Sequence, residues 1–371
     1  MEREREPELE LGDDYRTFHN ETMVIDSHND TIVRHLRNRL HLAGCGREVP
    51  SAPEASWEPW EASVVVRYDG RPVSEPESSL QLTMPKIKAG GIDVLYCAVD
   101  VTRAWKSHLP YLLDAFGYFY RELEEADGEG GDGEGGDGAG GLVPVTTAAG
   151  MQAAKDTGRV AAVLAVENAD ALEGSLYIPH LLYRLGVRVM GLTHNPRADA
   201  ADGNGEPAGG GLTGFGRRLV QELNRLGMLI DVSHISRRGF WDVVEQSTAP
   251  VIASHSCCAA LCPHSRNLDD DQLRALAQNG GVVGITFVPM FVDDDKPTFS
   301  RLLDHFCHAV EIAGIDHVGL GSDFDGGGDL LADAAAMPSI TKGLFERGFS
   351  REEVAKILGG NHRRVFAQVC G

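Results

Sequence analysis

Residues 212–236 read LTGFGRRLVQELNRLGMLIDVSHIS and join a helical pattern directly to a strand pattern. Within Gly214–Leu226, apolar residues such as Leu219 and Leu223 recur on one side, a spacing that predicts an amphipathic helix. The run Met228–Ser233 that follows is almost continuously apolar, as in strands that are buried on both faces of a parallel sheet. The stretch therefore predicts a helix that leads into a buried parallel strand.

The same kind of apolar run occurs eight times along the chain, and helical stretches lie between most of the runs. The predicted strands are Met23–Ser27, Ile92–Val99, Val160–Val166, Val187–Thr193, Met228–Ser233, Pro250–Ser254, Gly281–Phe287 and His317–Ser322. Alternating β and α units predict a parallel sheet with helices packed against it. Eight units favour a closed (β/α)8 barrel of the TIM type. The alternative is an open Rossmann-type sheet, but no GxGxxG motif follows a predicted strand.

The 371 residues are predicted to form a charged N-terminal arm, residues 1–20, and a single barrel domain, residues 21–371. Two segments interrupt the β/α rhythm of the barrel domain. Residues 37–79 contain two tryptophans and several prolines, and are predicted to form an ordered insertion near the barrel mouth. Residues 126–141 read ADGEGGDGEGGDGAGG and predict a flexible acidic loop, because they lack the alternating apolar positions of a calcium-binding repeat.

The C-terminal part of the chain, residues 338–369, is predicted to form two helices that close the barrel. Ser350 and Glu353 have the spacing of a capping box, in which each side chain accepts a hydrogen bond from the backbone N–H of the other residue. The second of these helices is therefore predicted to begin directly after Ser350.

The composition limits the partners and the compartment of the protein. Asp and Glu number 55 against 34 Lys and Arg, so the formal net charge is −21, which argues against binding to nucleic acid or to an anionic membrane. No apolar run approaches the length of a membrane span, Met1–Asp14 lacks the apolar core of a secretory signal, and no apolar tail suggests a lipid anchor. The odd number of cysteines, 7, shows no disulfide framework. These features predict a cytoplasmic protein.

Polar residues stand at the ends of the predicted strands, where barrel enzymes carry their active sites. His28 and Asp30 follow the first strand, and residues two apart in an extended chain point the same way. Glu167 follows the third strand and needs a partner, since an unpaired carboxylate beside a buried run is costly. A metal ion is one such partner; a salt bridge or a place near a helix start is the structural alternative.

Four more strand ends carry groups suited to metal binding or acid–base chemistry: His194, His234, His255 and Asp323. Each histidine alone is more often a structural residue, but three of them at the ends of different strands favour one shared centre. Neutral imidazole combined with carboxylate suits zinc, and also manganese, iron or cobalt. The cysteines within residues 257–262 lack the paired spacing of zinc ligands and are predicted to be packed small residues.

Two metal ions would have a chemical purpose in a hydrolase. They lower the pKa of a bridging water, so that hydroxide forms near neutral pH, and they polarise the scissile carbonyl. Asp323 is placed to take the proton from that water and pass it to the leaving amine. Arg266, in the loop after the sixth strand, is suited to bidentate binding of a substrate carboxylate, although a lone arginine in a loop is more often a surface residue.

Several motifs in chain order resemble the renal (membrane) dipeptidase family of zinc metallopeptidases. Besides residues 212–236 they are IDSHND (25–30), AVEN (165–168), GLTHN (191–195), VIASHS (251–256) with SRN (265–267), HVGLGSDFDG (317–326) and RGFSREEVAKILGGNHRRVF (347–366). The short motifs are individually weak, but together and in order they span residues 25–366. The resemblance implies a (β/α)8 barrel with two zinc ions.

The resemblance also implies a metal ligand set. His28 and Asp30 would bind one zinc ion. His234 and His255 would bind the other, and Glu167 would bridge the two ions.

Three further residues receive substrate-side roles by the same resemblance. His194 would contact the substrate and stabilise the tetrahedral oxyanion. Arg266 would hold the C-terminal carboxylate of a dipeptide, and Asp323 would be the proton shuttle. The implied function is that of a dipeptidase, commonly a homodimer, which hydrolyses dipeptides, including those with a C-terminal D-residue, by means of a metal-bridging hydroxide.

The chain departs from the family pattern at the predicted rim of the site. Ser27 stands where the family usually has glycine, and Asn168-Ala169-Asp170 stands where it often has Gly-Gly-His. Neither change removes a ligand, but both bear on specificity. Two alternatives remain open at this point: an amidohydrolase-type enzyme acting on a cyclic amide, lactam or lactone, and a non-catalytic scaffold on a decayed barrel, against which the retention of every candidate ligand argues.

Overall fold

The computed structural model describes residues 14–38, 42, 65–66, 72–73, 80–102, 108–129 and 141–371. Within these ranges the chain forms parallel strands that alternate with helices. The strands are β1 (Ile25–Asn29), β2 (Val65–Val66), β3 (Pro72–Val73), β4 (Val94–Asp100), β5 (Leu142–Pro144), β6 (Val160–Glu167), β7 (Val187–Gly191), β8 (Leu229–Asp231), β9 (Ile252–Ser256), β10 (Val282–Ile285) and β11 (Val318–Leu320).

Eight of these strands close into a barrel in the order β1-β4-β6-β7-β8-β9-β10-β11, with β11 pairing back to β1. Each neighbouring pair is parallel. The short strand β5 pairs with the start of β6, and β2 pairs with β3 in a separate antiparallel ribbon. Each of the eight predicted apolar runs overlaps one barrel strand, so the predicted (β/α)8 barrel is confirmed.

The helices of the described ranges lie mostly between the barrel strands. They are α1 (Asp14–Glu21), α2 (Thr31–Asn38), α3 (Met84–Ala89), α4 (His108–Glu129), α5 (Ala148–Asp156), α6 (Ile178–Arg184), α7 (Gly214–Leu226), α8 (Arg237–Gln246), α9 (Asp270–Gln278), α10 (Pro289–Val292), α11 (Phe299–Ala313), α12 (Pro338–Glu346), α13 (Arg351–Ala355) and α14 (Asn361–Cys370). In this part of the chain, none of them combines the length and the apolar character that crossing a lipid bilayer requires.

Local sequence signals set the ends of several helices. The hydroxyl of Thr213 caps α7 by accepting a hydrogen bond from the backbone N–H of Gly216, and Gly227 ends the helix in the left-handed conformation at φ 74°. The predicted capping box of Ser350 and Glu353 is present at the start of α13. These caps fix where each helix delivers the chain to the next strand.

The last predicted helix is interrupted. A π-helical turn, Lys356–Gly360, separates α13 from α14. A Cβ at Gly359 would lie 2.4 Å from the carbonyl oxygen of Met23, so this glycine lets the turn pack directly against the entry to β1. The sequence pattern predicted one continuous helix, because a backbone contact with a distant segment leaves no periodic signal.

Alternate residues of the strands face two apolar clusters. Val94, Tyr96 and Ala98 of β4 point into the barrel interior, while the intervening residues pack outward against the helices. Val365 and Phe366 of α14 join the interior cluster. The barrel is therefore a filled core, and the polar groups of β1, β6 and β9 gather at their carboxyl ends.

The predicted charged arm falls partly inside the fold. Residues 1–13 lie outside the described ranges, but α1 is a helix packed against α12. His19 is buried, and its Nδ1 lies 2.6 Å from the hydroxyl of Thr341. Phe18 meets the ring of Phe345 edge-on at 5.3 Å. Residues 14–20 therefore belong to the packed domain, and the expectation of a separate arm does not describe them.

The two predicted interruptions lie largely outside the described residues. For 37–79, the structure describes only the end of α2, Leu42 and the strands β2 and β3. Helix α4 runs to Glu129, so the first four residues of the predicted loop 126–141 are helical. Residues 130–140 lie outside the described ranges.

Candidate metal centre

The predicted site residues meet at the carboxyl ends of the barrel strands. The candidate ligands are His28 in β1, Asp30 directly after it, Glu167 at the end of β6, His234 after β8 and His255 in β9. Ligand atoms from these strand ends form groups of three within 4.8 Å of one another, and one such group is His28, Asp30 and Glu167. The barrel geometry thus brings together side chains that are far apart in sequence.

Glu167 lies at the middle of the cluster. Its Oε1 is 3.0 Å from Nε2 of His234, 3.7 Å from Nε2 of His255 and 3.9 Å from Nε2 of His28. This oxygen is buried and accepts no hydrogen bond from any residue that the structure describes. Leaving a buried carboxylate oxygen unsatisfied is costly, so the arrangement fits a carboxylate that bridges cations.

His234 and His255 point their Nε2 atoms at each other, 2.7 Å apart. Two neutral imidazoles with their lone pairs at this separation repel each other unless a proton or a cation lies between them. His28 stacks on His255 with ring centroids 3.7 Å apart, which directs a third imidazole to the same place. The donor set of imidazole and carboxylate fits zinc, which supports metal binding at this position.

A serine hydroxyl holds two of these histidines from behind. Ser254 Oγ lies 2.8 Å from Nδ1 of His255 and 3.4 Å from Nδ1 of His28, and it donates its own proton to Asp231. Since a hydroxyl has one proton, Ser254 accepts from the imidazole Nδ1–H groups. Their Nε2 lone pairs are then free to face Glu167. Histidines that bind metal ions usually have such a partner, which accepts a hydrogen bond from the other ring nitrogen and fixes the tautomer. The sequence interpretation missed both Ser254 and Asp231.

Burial and mutual repulsion raise the pKa of carboxyl groups in the site. Burial raises the pKa of Glu167 well above its ordinary value, and the carboxylates of Asp30 and Asp100 raise it further. Burial, together with the charge of Asp30, likewise raises the pKa of Asp323. A concentration of negative charge in a buried place is what a bound cation would relieve. Asp100, the last residue of β4, was not singled out from the sequence.

The histidines of the cluster are held neutral. Burial lowers the pKa of His28 to about 3, with the positive charge of Arg266 adding to the effect. Burial and the same arginine lower the pKa of His234 and His255 well below the ordinary value. Neutral imidazole is the form that binds metal ions.

Arg266 is buried beside the centre, with 2 % of its surface exposed. Its Nη2 donates to the carbonyl oxygen of His255 at 3.0 Å, and its guanidinium lies 5.3 Å from the ring centroid of Phe291. A cavity of about 580 Å³ extends from Arg266 and His234 toward Ile235 and Trp241. Arg266 is therefore a buried residue, and the alternative of an ordinary surface arginine does not apply to it.

Backbone strain concentrates around the centre. His234 and Asp323 have φ values of 65° and 61°, and Asp325 and Asn168 have 63° and 82°. Non-glycine residues rarely adopt this left-handed conformation, because it costs conformational free energy. Residues strained in this way cluster at functional sites. Within the described residues one other non-glycine position, Glu173, shares it.

Gly326 fits between two carboxylates of the site. A Cβ there would lie 2.1 Å from Oδ2 of Asp30 and 2.3 Å from Oδ1 of Asp323. Gly326→Ala is therefore expected to displace both side chains. For the dipeptide hydrolysis expected from the sequence motifs, kcat/KM is expected to fall by roughly 100-fold, the scale of an ångström-sized misplacement. Kinetics and metal content of the purified variant measure this.

Gly327→Ala is the matched control for this substitution. A Cβ at Gly327 would meet Val288 Cγ2 at 3.7 Å and Asp323 Oδ2 at 3.9 Å, which are ordinary contacts. Equal activity of the Gly326→Ala variant and this control would show that the two carboxylates are not held as described.

The fold of the chain is a (β/α)8 barrel, and the histidine–carboxylate cluster at its strand ends is a candidate metal centre. Residues 13–370 match the model of the membrane dipeptidase family, peptidase family M19, and the chain belongs to this family. The resemblance inferred from the sequence motifs is thereby confirmed.

Individual relatives agree with the family assignment. The chain is 39% identical over 221 residues to "Dipeptidase tcpJ" of Claviceps purpurea, a match that covers 57% of this chain and 52% of that protein. The chain thus spans about half the length of the curated relatives it matches.

Two solved structures match along nearly their whole length. The crystal structure of the M19 metallo peptidase "dipeptidase AC" superposes with a TM-score of 0.77 at 27% identity, covering 94% of this chain and 99% of that chain. A metallo peptidase from Rhodobacter sphaeroides, liganded with a phosphinate mimic of the dipeptide L-Ala-D-Ala, superposes with a TM-score of 0.76 at 26% identity, with the same coverage.

Proposed function

We propose that the protein is a zinc-dependent dipeptidase with two Zn²⁺ ions bridged by Glu167. The observation that carries the proposal is the convergence of three imidazole Nε2 atoms, 3.0 to 3.9 Å away, on the buried Oε1 of Glu167. His28 and Asp30 would hold one ion, and His234 and His255 the other. When bound, the two ions would lower the pKa of a bridging water to yield hydroxide and would polarise the scissile carbonyl.

Asp323 moves the proton in the proposed reaction. Its carboxyl lies beside Asp30, and burial and the negative charge of Asp30 raise its pKa. A carboxyl with a raised pKa can hold the proton taken from the attacking water and then release it to the leaving nitrogen.

His194 and Arg266 position the substrate. The ring of His194 stacks on that of His234, with centroids 4.1 Å apart, so His194 lies next to the proposed metal ligand. From there it donates a hydrogen bond to the oxyanion that forms on the scissile carbonyl. Arg266 binds the C-terminal carboxylate of the dipeptide, and the adjoining cavity has room for the C-terminal side chain.

The proposal includes dipeptides with a C-terminal D-residue. Support comes from the Rhodobacter sphaeroides metallo peptidase, which is 26% identical and was solved with a mimic of L-Ala-D-Ala. Assay of the zinc-loaded protein against L-Ala-L-Ala and L-Ala-D-Ala tests both parts of the proposal. Hydrolysis of neither dipeptide would overturn it.

Arg266→Ala is expected to raise KM for L-Ala-L-Ala by roughly 10- to 100-fold, because a charge-assisted, bidentate contact with the carboxylate is lost. The C-terminal amide of the same dipeptide lacks that carboxylate, so its KM is expected to change little. Steady-state kinetics with both substrates measures the difference. Arg237→Ala is the control, since Arg237 lines the same cavity but pairs with Asp269.

A proportional loss for the dipeptide and its amide would contradict the proposed carboxylate contact. It would favour the alternative of an enzyme that opens a cyclic amide, lactam or lactone. Metal content is measured alongside, because Arg266 also touches the backbone of His255.

The proposal extends to a cytoplasmic homodimer. The cysteines that the structure describes are free, which supports a reducing compartment. Three of the exposed large apolar side chains, Tyr177, Leu181 and Leu185, follow one another at intervals of four along α6 and its ends, and they offer a surface for a second copy. Sedimentation equilibrium of the wild type and of a Leu181→Glu variant tests the dimer, and a monomeric wild type would refute it.

A further inference from the structure

A single buried amide lies between two histidines of the site. Asn195 follows the end of β7 and is 4% exposed. Its Oδ1 is 2.7 Å from Nδ1 of His234, and its Nδ2 is 3.1 Å from Nδ1 of His194. The two imidazole rings stack with an interplanar angle of 25°, so both present Nδ1 to the same side chain.

The chemistry of an amide makes these two contacts different. An asparagine accepts through its oxygen and donates through its nitrogen, whereas a neutral imidazole carries one proton on one of two nitrogens. Nε2 of His234 faces Glu167 at 3.0 Å and His255 at 2.7 Å. To offer a lone pair there, His234 must carry its proton on Nδ1, and the amide oxygen must therefore face His234.

The orientation of the amide then fixes the other histidine. With its oxygen on His234, Asn195 points its NH2 group at Nδ1 of His194. His194 accepts at Nδ1, so its own proton is on Nε2. The two stacked histidines are thus held in opposite tautomers by one side chain.

The chain around the amide is clamped by two glycines. The backbone N–H of Gly205 donates to the carbonyl oxygen of Asn195 at 2.9 Å. A Cβ at Gly203 would lie 2.2 Å from the carbonyl oxygen of His194 and 2.3 Å from that of Asn195. Asn204 between them donates its backbone N–H to the carbonyl oxygen of His234 at 2.7 Å. This segment therefore ties the two histidine-bearing loops together and holds the amide between them.

We propose that Asn195 is a positioning residue that assigns opposite roles to two like side chains. It leaves a lone pair on Nε2 of His234, which suits a metal ligand. It leaves a proton on Nε2 of His194, which suits a donor to the substrate oxyanion. The role assigned to each histidine rests on the proposed dipeptidase function. The two tautomers rest on the hydrogen bonds of Asn195 together with the lone pair that Nε2 of His234 offers to the centre.

The test reads the tautomers directly. Long-range ¹H–¹⁵N correlation spectra of ¹⁵N-histidine-labelled protein distinguish a protonated Nδ1 from a protonated Nε2, and His194→Gln and His234→Gln spectra assign the signals. The expected result is a protonated Nε2 on His194 and a protonated Nδ1 on His234. A protonated Nδ1 on both residues would overturn the inference.

Two substitutions of Asn195 distinguish its contact with His234 from its contact with His194. Asn195→Leu keeps the size of the side chain but neither hydrogen bond, so zinc affinity and kcat are each expected to fall roughly 10- to 100-fold, as for other outer-shell residues. Asn195→Asp keeps the acceptor for His234 but turns the donor for His194 into an acceptor. It is expected to bind zinc within a few-fold of the wild type, while Nδ1 of His194 becomes protonated.

The control is Asn361→Leu, which removes a buried asparagine whose Nδ2 donates to the carbonyl oxygens of Ile315 and Val318. It is expected to lower the melting temperature without changing the tautomers of His194 and His234. Unchanged tautomers and zinc affinity in Asn195→Leu would refute the inference while leaving the dipeptidase proposal intact. A wild type that binds no zinc and cleaves no dipeptide would refute the function, and the tautomer spectra would still decide the inference.

Discussion

Glu167→Gln is expected to lower kcat/KM for L-Ala-L-Ala by roughly 1000-fold, equivalent to about 4 kcal/mol of barrier, and to reduce the zinc content below two ions per chain. An amide can offer one oxygen to a cation but cannot bridge two ions as a carboxylate does. The loss therefore reaches both proposed metal positions, one at His28 and one at His234.

In the metal-free protein, the Glu167→Gln substitution is expected to increase stability. Burial raises the pKa of Glu167, so the folded state binds a proton more tightly than the unfolded state does. The buried charge then destabilises the metal-free protein increasingly as the pH rises above the unfolded pKa. Glutamine removes that charge, so the metal-free variant is expected to melt at a higher temperature than the metal-free wild type at neutral pH, while gaining less from added zinc.

Calorimetry with and without zinc measures both melting shifts, and elemental analysis measures the metal content. Glu173→Gln is the control, because it is the same substitution at an exposed residue six positions later. Full zinc content and near-normal activity in Glu167→Gln would show that Glu167 is not a bridging ligand.

Asp323→Asn is expected to lower kcat by roughly 1000-fold, within the range for loss of a general acid–base group. An asparagine keeps the size of the side chain but cannot accept and release the proton. Because Asp323 is not a proposed ligand, the zinc content is expected to stay at two ions per chain, and KM is expected to change little. Stopped assays with long incubation, together with elemental analysis, measure the three quantities.

Asp329→Asn provides the control for this variant, since Asp329 is exposed but contributes negative charge in the same region. A similar fall in kcat for both variants would indicate a general electrostatic effect instead of proton transfer. Loss of zinc from Asp323→Asn would contradict its assignment as a shuttle and place it among the ligands.

The architecture was largely readable from the sequence. Strands buried on both faces give continuous apolar runs, and eight such runs separated by helical patterns have few other solutions than a closed barrel. The short strand β5, of sequence LVP, was missed because three residues pairing with the start of β6 give no periodic signal. The π-helical turn at Lys356–Gly360 was missed because its cause is contact with β1.

The sequence identified the candidate ligands because the carboxyl ends of all the parallel strands lie at the same end of the barrel. Polar residues at these strand ends are therefore close together. The residues that hold the ligands were harder to find. Ser254 and Asp231 lie within apolar runs, and Asn195 is one more polar residue in a loop. Their roles depend on hydrogen bonds between segments from 23 to 226 residues apart, which a single sequence does not reveal.

Anomalous diffraction at the zinc edge, from crystals of the zinc-loaded protein, tests whether Glu167 bridges two zinc ions. We expect two peaks on either side of Glu167, one at bonding distance from His28 and Asp30 and one at bonding distance from His234 and His255, about 2.0–2.2 Å in each case. A single peak, or peaks that Glu167 does not contact, would contradict this bridging role.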